Sequence, residues 1–304
     1  TPDELKKKLQ KAADDDNALI MSFIAPDTIV KKSPTSYDYA SITYQDLYNV
    51  EKVIEPLVDE GKLPQKLHLI IHSPGGRADA TTKIARYIRS HFKEIETYVP
   101  YEAASGGTVL CLTANLIVMG KTSNLTPIDP QVFYKGRRVS ATSYEQAIKE
   151  MMRKYSTTSP DDIPSPDQQM CNQFDPIVAK EMSKEVWDSL MIAIELLDAS
   201  QKPKTTKEEN RIFGIAFALT KTDFPHDHQF DAKSASEIGL TISKDLGKIE
   251  LLKVYKEWVS CKLNAKETNH IVETYIPKKE ARNNEKPKKA TQDTKSENAT
   301  RNKA

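Results

Sequence analysis

KLHLIIHSPGGRADATTKIARYIRSHFKEIETYVPYEAASGGTVL, residues 66–110, decides the fold. It opens on a near-continuous apolar run, 66–73, that meets Pro74-Gly75-Gly76. An apolar run without alternation, stopped by turn residues, predicts a strand of a parallel sheet covered on both faces. Residues 79–91 predict a helix and EIETYVP (94–100) a second strand, after which the small residues of AASGG (103–107) run into an apolar helix. Strand, glycine turn, helix, strand is one crossover unit.

Working outward, ITYQDLYNVEKVIEPLVDEG (42–61) carries Leu47, Val50, Val53, Ile54 and Leu57 at helical spacing and closes at Gly61. ALIMSFI (18–24) reads as a buried strand and residues 3–13 as a short charged helix. Downstream, LIVMG (116–120) is the next strand and TPIDPQ (126–131) a proline-rich loop. Residues 141–200 are helical, interrupted by STTSPDDIPSPDQQ (156–169), expected to be a mobile surface loop. A helix over 204–220 follows, then a short helix that ends at Gly239 before a strand. Residues 278–304 hold nine Lys or Arg, four Asp or Glu and almost nothing apolar. The expected organisation is one α/β domain, 1–277, with a disordered basic tail, 278–304.

With 304 residues, 38% of them hydrophobic and 29% charged, the chain can bury a full core. Its net charge is +1, and outside the C-terminus the basic residues share no periodic face, so nucleic acid is not expected as a partner. No apolar run approaches the roughly 18 residues that span a bilayer, and TPDELKKKLQ lacks the apolar segment of a secretory signal. The expectation is a cytoplasmic protein without a membrane partner. Cys111, Cys171 and Cys261 are odd in number and form no CxxC pair, which argues against a disulfide framework or a zinc site.

HSPGGRADA (72–80) and AASGGTVL (103–110) follow consecutive strands, whose ends on one edge of an α/β sheet converge on a shared crevice. A serine at the start of a helix, flanked by small residues, can expose its hydroxyl while neighbouring backbone N–H groups point at a developing anion. Ser105, between Ala104 and Gly106, has those properties. The backbone N–H groups of Gly76 and Gly106 would complete an oxyanion hole, where a side chain would block a carbonyl oxygen. Either glycine pair alone is most often only a turn; the two in this order are more specific.

HSPGG, AASGG about thirty residues later, then ANLIVMG and LTPIDPQ together resemble the superfamily of the Clp protease and signal peptide peptidase A, and within it the serine dehydrogenase proteinases. The resemblance runs from about 42 to 245 and closes on PHDHQFDAKSASEIGL. It implies a Clp-protease and crotonase-like fold of repeated ββα units with a helical C-terminal part. It places Ser105 at the nucleophile and Gly76 and Gly106 at the oxyanion donors. Two departures are local: Ser-Gly-Gly stands where those relatives usually have Ser-Ala-Gly, and LTPIDP where they have LGPIDP.

A serine hydroxyl needs a base within hydrogen-bond reach. The position of the Clp protease's histidine falls near Asp129, and that of its acid at Asp227, beside His226. One arrangement that keeps the chemistry exchanges the roles, with His226 as base and Asp129 orienting its imidazole. The rival is a Ser-Lys dyad, as in signal peptide peptidase A, with Lys149 or Lys154 on a predicted helix. Each residue also has a plainer reading: solvent-facing turn histidines for His226 and His228, a turn cap for Asp129, a solvated helix face for the lysines, and core-lining roles for His68 and His72. His226, Asp227 and His228 are too nearly adjacent to converge on a metal.

The expected function is an ATP-independent serine endopeptidase working through an acyl-enzyme on Ser105, with no metal or organic cofactor. A peptide or unfolded protein would bind as an extended strand beside Pro74, Gly75 and Gly76. The family also implies self-assembly into a homo-oligomer. The alternatives are a catalytically silent assembly or binding module and a crotonase-like acyl-thioester enzyme.

Overall fold

The computed structural model describes residues 1–26, 30–33, 36–38, 40–221, 224–264 and 270–278. α1 (Pro2–Asp16) opens on a capping box between Thr1 and Glu4 and turns Leu5, Leu9 and Ala13 inward. β1 (Ala18–Ile24) is buried along its whole length. After the hairpin of β2 (Val30–Ser33) and β3 (Ser36–Asp38), α2 (Tyr44–Asp59) starts on a second capping box, Thr43 with Asp46.

From here each long strand is followed by a short extended stretch in a second layer, and then by a helix. β4 (Lys66–His72) leads through the Pro74-Gly75-Gly76 turn into α3 (Ala78–His91). β5 (Glu94–Val99) leads through β6 (Glu102–Ala103) into α4 (Gly106–Cys111). β7 (Leu116–Met119) leads through β8 (Asn124–Leu125), the hairpin of β9 (Gln131–Tyr134) and β10 (Arg137–Ser140), and into α5 (Ala141–Tyr155). The second layer is stitched by bridges of Ile42 with Gly76, Ser73 with Ala103 and Leu125 with Phe230, and by β6 with β8. These are the repeated ββα units of the Clp-protease and crotonase kind. The second layer gathers both glycine turns at the carboxyl ends of the main strands.

The chain continues through α6 (Ser165–Cys171), α7 (Pro176–Gln201), α8 (Thr206–Thr220), α9 (Ala232–Glu237), α10 (Leu246–Lys262) and β11 (Ile271–Tyr275). The main sheet has the order β11-β1-β4-β5-β7, parallel except for β11, which runs antiparallel along β1. Leu67, Leu69 and Ile71 face a core shared with α2, α3, α7 and α8, whereas Ile70 packs with Leu9 of α1 and Tyr255 of α10. The unbroken apolar run of β4 is therefore explained by helices on both faces. Among the described residues no helix is long and apolar enough to cross a membrane.

Two expectations need correction. The polar interruption at 156–169 is not plain loop: it holds a 3₁₀ turn at Pro160–Asp162 and most of α6, tied down by Asp167, which accepts from Lys154 and Tyr155. The stretch after Gly239 contributes a single bridge, Ile242 to Ile117, rather than a strand. α10, β11 and the β9–β10 hairpin were not anticipated. Of the basic tail, residues 279–304 lie outside the described residues.

Candidate active site

Ser105 caps α4 with φ 49° and ψ −110°. A positive φ in a residue with a Cβ costs about 1–3 kcal/mol and persists only where the surroundings over-determine it. Here they do. The Ser105 amide donates to Thr126 Oγ1 at 2.8 Å, the Gly107 amide to the Ala104 carbonyl at 2.7 Å, and the Ala104 amide to the Ser73 carbonyl at 2.8 Å. A strained strand-to-helix turn of this type exposes the serine hydroxyl in nucleophile elbows.

The proline-diglycine turn is packed directly against it. A Cβ on Gly75, whose φ is +90°, would lie 2.8 Å from Ser105 Cβ, from the Gly106 nitrogen and from the Ala104 oxygen. One on Gly76 would lie 2.1 Å from the Ile42 nitrogen, so neither position accepts a side chain. Ile42 donates to the Gly75 carbonyl at 2.8 Å and accepts from the Arg77 amide at 2.9 Å, which leaves the Gly76 amide on the opposite edge. Among the described residues neither the Gly76 nor the Gly106 amide donates a hydrogen bond. A Cβ on Gly106 would stand 3.3 Å from the Gly76 nitrogen and 2.8 Å from Thr81 Oγ1. The two turns therefore meet, and Thr81 accounts for glycine where the resemblance anticipates alanine.

His226 and Asp129 come together although 97 residues separate them. Paired exchange between Leu125 and Phe230, at 2.9 and 2.8 Å, fastens the 226–230 segment beside the proline-rich loop. His226 Nδ1 then lies 2.6 Å from Asp129 Oδ1, whose other oxygen accepts from Gln131 at 2.9 Å. The Asp129 side chain is 3% exposed and that of His226 33%. The imidazole is anchored at one nitrogen, and among the described residues its other nitrogen makes no hydrogen bond. Among the described residues no hydrogen bond joins Ser105 Oγ to His226 or to a lysine; catalytic contacts often tighten only with substrate bound.

The two candidate lysines sit on the solvent side of α5. Lys149 Nζ pairs with Glu145 and Lys154 Nζ with Asp167, each at 2.8 Å, and their side chains are 65% and 57% exposed. The bond to Asp167 pushes the Lys154 ammonium above its ordinary value, opposite to what a lysine base requires. Asp227 is exposed, and His228 is half-buried, stacking on Phe224 with ring centroids 3.9 Å apart.

Thr126 was noted in the sequence only as a departure from LGPIDP, yet it supplies the acceptor for the nucleophile's amide. Ser73, Asp46 and His270, also on this side of the sheet, gave no local pattern pointing to one another. Elsewhere Asp16, His68 and Glu96 bring three metal-type donors within 4.8 Å of one another. Lys66 already lies 2.8 Å from Asp16 and 2.9 Å from Glu96, and Lys248 lies 2.6 Å from Glu96, so the protein supplies its own cations there.

Repeated ββα units with a strained serine turn set against a diglycine turn place the molecule among the ClpP-like proteins. Residues 38–289 match the family described as ClpP-like SDH-type serine proteinase, and the chain belongs to that family. Membership makes it a serine peptidase in the broad sense. Two relatives from Methanocaldococcus jannaschii, the uncharacterized proteins MJ0137 and MJ1495, are 27% and 26% identical to it. The first alignment covers 72% of this chain and 67% of the relative, the second 82% and 74%. Similar solved structures include two of the 1510-N membrane-bound stomatin-specific protease, one in complex with a substrate peptide. They are 17% and 18% identical, with TM-scores of 0.42 and 0.43, and cover 71% and 70% of this chain and 80% and 75% of theirs. ClpP1 from Listeria monocytogenes is 13% identical, with a TM-score of 0.39, covering 70% of this chain and 92% of its own.

Proposed function

We propose that this chain is an ATP-independent serine endopeptidase that hydrolyses peptide bonds through an acyl-enzyme on Ser105. Ser105 Oγ attacks the carbonyl carbon while His226 Nε2 takes its proton. The oxyanion is held by the Gly76 and Gly106 amides, and Asp129 stabilises the imidazolium. His226 returns the proton to the leaving amine, and then activates the water that cleaves the ester. The substrate main chain lies along the edge of the Pro74-Gly75-Gly76 turn that faces away from Ile42. Self-assembly is part of the proposal on family grounds alone.

The observation that carries the reading is the packing of Gly75 onto Ser105, which sets two amides, unbonded among the described residues, beside a serine held at positive φ. The test is labelling with a fluorophosphonate. One adduct on Ser105 is expected, lost in Ser105→Ala together with hydrolysis of an unfolded protein in the absence of ATP. A folded wild-type protein that takes no label would point to a silent module. Thioester turnover that survives Ser105→Ala would point to a crotonase-like enzyme.

A further inference from the structure

Behind the proline-diglycine turn lies a second serine, histidine and aspartate, none of them used above. Ser73 Oγ lies 2.8 Å from His270 Nε2, and His270 Nδ1 lies 3.4 Å from Asp46 Oδ1. The side chains of His270 and Asp46 are 0% exposed, and Ser73 is equally closed off, so no substrate reaches this serine. Its neighbours are the two catalytic turns. Ser73 Oγ accepts the Gly75 amide at 3.1 Å, and its backbone carbonyl accepts the Ala104 amide, next to Ser105, at 2.8 Å.

The network closes on itself. Asp46 Oδ2 accepts from the Thr43 amide at 2.7 Å and from the Thr43 hydroxyl at 3.1 Å. Thr43 follows Ile42, the residue that binds the Gly75 carbonyl and the Arg77 amide. Asp46 Oδ1 also accepts the His270 amide at 3.0 Å. The turn is thus held through its amide by Ser73 and His270, and through its carbonyl by Ile42, and both routes end on one buried carboxylate. His270 Nδ1 makes no hydrogen bond among the described residues, so the His270 segment is joined to the carboxylate through its backbone amide.

We propose that Ser73, His270 and Asp46 are positioning residues that fix the Gly75-Gly76 turn so that the Gly76 amide is aimed at the oxyanion, with His270 delivered by the strand β11 that it precedes. The inference rests on the acyl-enzyme reading for its catalytic consequence but not for its structural one. Oxyanion donors act only when preorganised, and misplacement by about 1 Å costs on the order of 100-fold in rate.

The experiment compares Ser73→Ala, His270→Leu and His270→Gln with wild type by residue-resolved amide exchange and by peptide hydrolysis. In Ser73→Ala the Gly75 amide is expected to exchange at least about tenfold faster while β4 amides are unchanged, because its side-chain acceptor has gone and the β4 ladder has not been touched. kcat should fall about 10- to 100-fold with KM within about twofold, since the ground state makes little use of the oxyanion donors. His270→Gln, which keeps a polar group toward Ser73, should recover part of the loss seen in His270→Leu. Should His270→Leu fail to fold, Ser73→Ala carries the test. Unchanged Gly75 exchange in Ser73→Ala, or a normal kcat in that variant, overturns the positioning role. A wild type that neither labels nor hydrolyses overturns the peptidase reading alone, because the exchange result stands without it.

Discussion

Two histidines in this molecule bond an aspartate at almost the same distance, His68 through Nε2 to Asp16 at 2.7 Å and His226 through Nδ1 to Asp129 at 2.6 Å, and the resemblance ends there. His68 is 1% exposed, and its second nitrogen is taken by Tyr255 at 2.9 Å. Around it Lys66 and Lys248 pair with Asp16 and Glu96, so both ring nitrogens and both carboxylates have protein partners. His226 has the reverse arrangement, with the carboxylate buried, the ring partly open and one nitrogen unclaimed among the described residues. A histidine–carboxylate pair is a scaffold when both ring nitrogens are used internally, and it is available for proton transfer when one is left over.

The sharpest way to break this contrast is to truncate both rings. His226→Ala should lower hydrolysis by about 10²- to 10⁴-fold while the melting temperature stays near that of wild type. His68→Ala should do the opposite, costing about 3 kcal/mol of stability by emptying a buried site and leaving the buried Tyr255 hydroxyl without its partner, with normal turnover per folded molecule. Thermal melts paired with active-site titration read both quantities, and an equal effect of the two variants on turnover would erase the distinction.

Acid sharpens it further. Burial raises the Glu96 carboxyl, but bonds from Lys248 and Lys66 outweigh it and hold it below its ordinary value. The bond from His68, against burial, does the same for Asp16. Groups with depressed folded values stabilise above the unfolded carboxylate range, and that stability is lost as pH falls through the folded values. Wild type should therefore lose stability below about pH 4, whereas Glu96→Gln, weaker by about 3 kcal/mol at pH 7, should close the gap as the pH drops. A constant gap between the two from pH 7 to 3, in denaturant titrations, would remove Glu96 from the account.

The smallest expected effect belongs to the lysines. Lys149→Ala and Lys154→Ala remove solvent-screened ion pairs that add little to stability, and should leave hydrolysis within about twofold. A loss of several hundredfold in either would transfer the base from His226 to that lysine.

How much of this could be read beforehand follows from distance along the chain. β4, β5, β7, α3 and α4 are local: each is an apolar run with a stop, so the crossover units and the turn that holds Ser105 were legible. The meeting of Gly75 with Ser105 was expected from the rule that strand ends converge. β11 escaped because IVETY is half-buried throughout, and its partner β1 lies some 250 residues away. α10 did carry a signal, in the spacing of Leu252, Tyr255, Trp258 and Val259, that went unread. The role of His270 could not be foreseen, since nothing around it in sequence announces burial against Ser73.

The antiparallel course of β11 has a practical corollary. Beyond Tyr275 the chain is pinned to α1, with the Ile276 carbonyl accepting from Gln10 and the Lys278 amide donating to Asp14, each at 2.7 Å. That anchorage lies at the amino ends of the parallel strands, roughly 20 Å of strand length from the glycine turns. A fluorescent reporter or affinity handle grafted after Lys278 would thus ride on the rear of the molecule, leaving the reactive rim clear for inhibitors.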